Sequence, residues 1–77
     1  MVTAKIALPN VDEVKKFVDI VSKCPAHVEL VSGRYQVNGR SIMGIFSLDL
    51  SQPIQMTIHG EGSQQLADEL SSFVVKD

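Results

Sequence analysis

Period-two alternation of apolar and polar residues, repeated in four short runs, constrains this chain more than any other feature of its sequence. In Val2-Thr3-Ala4-Lys5-Ile6-Ala7-Leu8, Val2, Ala4, Ile6 and Leu8 point one way and Thr3, Lys5 and Ala7 the other. His27-Val28-Glu29-Leu30-Val31 groups Val28 with Leu30, and Tyr35-Gln36-Val37 groups Tyr35 with Val37. Ile54-Gln55-Met56-Thr57-Ile58-His59 groups Ile54, Met56 and Ile58. Successive side chains of a strand face opposite ways, so each run is a strand with one face to bury. The opposite face carries Thr3, Lys5, Glu29 and Thr57 and suits water, which is the pattern of an antiparallel sheet covered on one side. Ser32-Gly33-Arg34 joins the second and third runs as a hairpin turn, with glycine available for a positive φ.

The remaining segments read as helices. Pro9-Asn10 ends the first strand, and Asn10 with Glu13 three residues on forms a capping-box pattern. Val11, Val14, Phe17, Val18 and Val21 then share a face, with Asp12, Glu13, Lys15, Lys16, Asp19 and Ser22 around it. This predicts a helix from Val11 to Lys23, stopped before Pro25. A last helix is expected after Gly60-Glu61-Gly62, capped by Ser63 and striped by Leu66, Ala67, Leu70, Phe73 and Val74. Between the third and fourth strands, Asn38 to Leu48 reads as one short helix capped by Ser41 and holding Ile42, Met43, Ile45 and Phe46. The order β-α-β-β-α-β-α predicts an α+β, two-layer open-faced sandwich. Its four-stranded antiparallel sheet is covered on one face by three helices, and residues 1–77 make a single domain.

Composition narrows the function. A net charge of −2 with seven scattered basic residues leaves no basic stripe for nucleic acid or an anionic membrane. No apolar run approaches the roughly 20 residues of a membrane span, and the N-terminus lacks a secretory pattern. The single Cys24 precludes an internal disulfide and fits a reducing, cytoplasmic setting. His27 and His59 sit at strand ends and read as half-exposed polar residues. With Cys24 they match no metal-ligand spacing, so no metal is expected. The glycines form no phosphate-cradling loop and no serine–histidine–carboxylate set is evident, so neither a cofactor nor enzymatic activity is expected.

Asn38, then Ser41-Ile42-Met43-Gly44, then Ser47-Leu48, followed by Met56-Thr57-Ile58 and Glu61-Gly62, carry a family resemblance across essentially the whole chain. In this order the chain resembles the HPr family, the small phosphocarriers of the bacterial phosphotransferase system. The Ser-Ile-Met-Gly run is the more specific part. One departure matters. The family carries phosphate on a histidine at the start of its first helix, within a Gly-Leu-His-x-Arg-Pro-like motif. Here a shortened loop leads through Pro9-Asn10 into Val11-Asp12-Glu13, with neither that histidine nor the arginine. Asn10 and Glu13 occupy the helix-terminal donors, and Asp12 and Glu13 repel an anion. A phosphohistidine carrier is therefore not expected. The chain is similar to the catabolite repression HPr class, which lacks that histidine, keeps the serine and binds a transcriptional regulator.

The resemblance assigns candidate roles. Ser41 matches the family's regulatory serine, the substrate of HPr kinase/phosphorylase; read from the residues alone it is a helix N-cap, and the two roles are compatible. Arg40 beside it could pair with the added charge and is placed with the protein-binding residues. Ile42, Met43 and Phe46 match the family's apolar docking patch, against the alternative that they are core. Implied partners are proteins: the kinase/phosphorylase, and a transcriptional regulator or phosphotransferase proteins. Two other readings stand beside this one: a competitor that meets phosphotransferase proteins without accepting phosphate, and a structural or ligand-sensing module sharing only the fold.

Overall fold

In the computed structural model, which describes residues 1–75, the elements follow the expected order. They are β1 (Val2–Ile6), α1 (Val11–Ser22), β2 (His27–Ser32), β3 (Tyr35–Asn38), α2 (Ile42–Phe46), β4 (Ile54–His59) and α3 (Ser63–Glu69), and Ser71–Phe73 add one 3-10 turn. The strands form one sheet in the order β1-β4-β2-β3, and every neighbouring pair is antiparallel. Register turns the alternation of each strand into rows across the sheet. Ala4, Met56, Leu30 and Val37 make one row toward the helices, and Val2, Ile58 and Val28 another. Thr3, Thr57, Glu29 and Asn38 make a row on the open face.

The covered face and the helices share one core. Ile6, Leu30, Ile54, Met56 and Ile58 from the sheet are fully buried, with Val14, Phe17 and Val21 of α1, Ile45 of α2, and Leu66 and Leu70 at α3. Each such side chain stabilises the fold by about 1.5–3 kcal/mol relative to exposure. The Phe17 and Phe73 rings meet edge to face, with centroids 5.7 Å apart and planes at 88°, the arrangement that ring quadrupoles favour.

Local chemistry fixes the connections. Asn10 caps α1, its Oδ1 accepting from the Glu13 N–H at 2.9 Å. The β2–β3 hairpin turns through Gly33 and Arg34, with Gly33 at φ +60°, the sign a type II′ turn requires at its first central position.

Three expectations are corrected. Val11 does not join the buried stripe of α1; it is the first helical residue, next to the Asn10 cap, and is 52% exposed, and the buried stripe begins at Val14. Ser63 is the first residue of α3 and not its cap. Gly62 holds the cap position at φ +83°, and the Ser63 hydroxyl donates back to the Gly60 carbonyl. The last helix does not reach Val74. It ends at Glu69, and after the 3-10 turn the chain runs extended beside β1: Val74 bridges Ile6, Ala7 N–H donates to the Phe73 carbonyl at 2.9 Å, and Val75 N–H donates to the Lys5 carbonyl at 2.8 Å. Unpaired backbone groups at the edge of β1 draw the tail out of helical geometry.

Candidate functional site

The turn before α2 is held from three sides. Asn38 accepts from the Arg40 N–H through Oδ1 at 2.8 Å and from the Ser41 N–H through its carbonyl at 3.0 Å. Gly39 N–H donates to the Val28 carbonyl at 2.8 Å, tying the turn to β2. The approach is close enough that a Cβ at Gly39 would stand 2.6 Å from Val28 Cγ1.

Ser41 is extended and exposed, and its Oγ accepts from the Gly44 N–H at 3.1 Å, the N-cap bond read from the sequence. Gly44 lets α2 lie on β3: a Cβ there would come within 3.2 Å of Val37 Cβ. With the helix so close, Ile45 and Leu48 go inward to the core. Met43, 77% exposed, and Phe46, 40% exposed, point to solvent. Ile42 is half-buried and packs against the core. Of the three residues expected to form an apolar surface, two project outward and one straddles the boundary.

Arg40 links the turn to α1. Its guanidinium does not turn to Ser41 but reaches across to the loop after α1, donating through Nη2 to the carbonyls of Cys24 and Ala26, the latter at 3.1 Å. Cys24 is half-buried, with Gly62 packed near its sulfur. Beyond α2, the Ser51 hydroxyl and then the Ser51 N–H bond to Asp49 and hold its carboxyl below the usual carboxylate range.

The first turn of α1 carries Asp12 and Glu13, and Asn10 already takes the Glu13 N–H. This turn and the residues before it contain no histidine. The structure brings the chain's two histidines together instead: His27 and His59 are register partners on β2 and β4. Nothing in the sequence pattern signals that pairing, because it depends on a strand order that skips two intervening elements, β3 and α2.

The molecule is thus an open-faced sandwich whose serine-capped short helix presents Met43 and Phe46 to solvent. The sequence matches the PTS HPr model, described as the PTS HPr component phosphorylation site, over residues 12–76. The chain belongs to the PTS HPr family. Members of that family are phosphocarrier proteins, not enzymes, and they interact with other proteins of the phosphotransferase system.

Solved structures agree. HPr-C-His from Thermoanaerobacter tengcongensis superposes with a TM-score of 0.83 at 25% identity, covering 96% of this chain and 91% of that one. HPr from Bacillus anthracis str. Ames gives 0.76 at 23% identity, covering 96% and 94%. Crh, the catabolite repression protein of Bacillus subtilis, gives 0.71 at 24% identity, covering 99% and 93%. The last two likenesses concern the fold. No curated protein matches by sequence. Among the described residues, no helix is long and apolar enough to cross a membrane.

Proposed function

We propose that this chain is a regulatory member of the HPr family that does not carry phosphohistidine and that acts by docking the α2 surface, Met43 and Phe46 with the edge of Ile42, onto another protein. Phosphate on Ser41, added by HPr kinase/phosphorylase, would switch that docking; the partner is a transcriptional regulator, as in the catabolite repression class. The observation that carries this reading is the exposure of Met43 and Phe46 beside an exposed serine whose hydroxyl oxygen caps the same helix. A dianion there changes the charge of the apolar surface without entering the core. Support for the loss of carrier chemistry comes from the first turn of α1, which has acidic side chains and a filled cap and no histidine.

Treating the protein with HPr kinase/phosphorylase and ATP, followed by intact mass, is expected to add one phosphate, absent in Ser41→Ala. Persistent labelling of Ser41→Ala would remove the assignment. Incubation with phosphoenolpyruvate and enzyme I is expected to leave no acid-labile phosphate; its appearance would show a carrier. Met43→Asp and Phe46→Asp should each lose the partner captured by the wild type while melting at a similar temperature.

A further inference from the structure

His27 and His59 stand directly opposite each other on antiparallel strands, and the next pair, Val28 and Ile58, is buried. Alternation therefore turns both imidazoles to the open face of the sheet, away from α2 and the helix layer. Directly opposed residues have Cβ atoms about 4.5–5.5 Å apart, close enough for two imidazole nitrogens to share an ion at about 2.0–2.1 Å. Glu29 lies on the same face. Its Oε2 is 3.8 Å from His59 Nε2 and accepts from Gln36 Nε2 at 3.0 Å, so the carboxylate is held in place from the far side. An open cleft lined by His27, Glu29, Gln36, Asn38 and His59 surmounts the pair.

We propose that the His27–His59 pair binds a divalent transition metal of the Cu²⁺, Ni²⁺ and Zn²⁺ class, with the two imidazoles as the protein's ligands and water completing the shell. Neutral imidazole suits these ions, and a neighbouring carboxylate adds negative charge and orients one ring. Among the described residues no three histidine, cysteine or acidic side chains converge on a metal position, so this is an open, exchangeable site and not a closed structural one. Glu29, steadied by Gln36, is a positioning residue for His59. The site is separate from Ser41 and the α2 surface, and stands or falls independently of the docking reading. It departs from the expectation, drawn from spacing along the chain, that the histidines hold no metal.

Calorimetric titration of the folded protein at neutral pH with CuCl₂, NiCl₂, ZnCl₂ and MgCl₂ tests it. One equivalent should bind, copper more tightly than nickel, with no uptake of magnesium. His27→Gln and His59→Gln should each weaken binding by more than about tenfold, and Glu29→Gln by up to about tenfold. Affinity should fall on acidification, because protons compete with the metal for the same nitrogens. In the wild-type protein, substoichiometric Cu²⁺ should broaden NMR signals around His27 and His59 and spare those of α2. Wild-type affinity in either histidine variant, broadening centred elsewhere, or no binding at millimolar metal would overturn the proposal.

Discussion

At Gly39 the side chain is excluded by distance. A methyl group there would press on both Val28 Cγ1 and Val28 Cβ, at 2.6 and 2.8 Å, and the turn cannot retreat because its N–H is bonded to the Val28 carbonyl. Gly39→Ala should therefore cost about 1–3 kcal/mol in urea denaturation, the range for overpacking. Ser41 combines a structural and a modifiable role at one oxygen. Ser41→Ala should lose about 1 kcal/mol with the cap, while Ser41→Asp, which keeps an acceptor, should stay near wild type. Equal stability of all three would mean the cap contributes nothing. Asp49 provides a pH signature. Its carboxyl is held below the ordinary range by the Ser51 hydroxyl first and the Ser51 N–H second, so the folded loop favours the ionised form. That contribution is present above the ordinary carboxylate range and is lost as pH falls through the depressed value. The Ser51 amide shift should titrate below the normal aspartate midpoint, and Asp49→Asn should abolish the titration.

Between elements, Arg40 links the turn before α2 to the end of α1. The last turn of α1 has no basic residue of its own, and the Lys23–Asp19 pair at its end, 3.3 Å apart, is well exposed and worth little. The guanidinium on the Cys24 and Ala26 carbonyls supplies the positive charge that a helix C-terminus favours, from a distant part of the chain. Arg40→Ala should lose about 1.5–3 kcal/mol, the range for hydrogen bonds to a charged group. Arg40→Lys should recover less than half, since one ammonium cannot replace a planar fork. This contact marks what the sequence could and could not disclose. The strands and α1 were legible because burial imposes period two or 3.6 on consecutive residues. Ser41 was legible as a cap because the bond lies within one helical turn. Arg40's partners and the His27–His59 pair are tertiary facts set by strand order and loop path, to which no local period responds. The end of the last helix misled for a related reason. Phe73 and Val74 continue its apolar spacing, but the edge of β1 offers their backbone better partners.

The molecule as a whole closes one edge of its sheet and leaves the other differently guarded. Among the described residues β3 pairs on one side alone, with β2, while α2 lies close through Gly44 and Val37. At the opposite edge, β1 is lined by the tail, through Ala7 to Phe73 and Val75 to Lys5. Phe73 anchors that tail, because its ring sits against Phe17 of α1 while its carbonyl accepts from β1. One residue thus ties the helix layer to the sheet edge. A domain of this size has a stability toward the lower end of about 5–15 kcal/mol, and a buried Phe→Ala change costs about 3–5 kcal/mol, so Phe73→Ala should bring the fold close to unfolding. Phe73→Leu conserves most of the volume and should cost less than about 1.5 kcal/mol, which leaves the local effect measurable. In that variant, hydrogen exchange at the Ala7 amide should quicken relative to amides of β1 and β4 that bond each other, because its acceptor loosens with the tail while the ladder stays intact. Uniform acceleration of all these amides would instead mean that Phe73 acts only through global stability, and that the edge of β1 is closed by the tail's backbone without need of its ring.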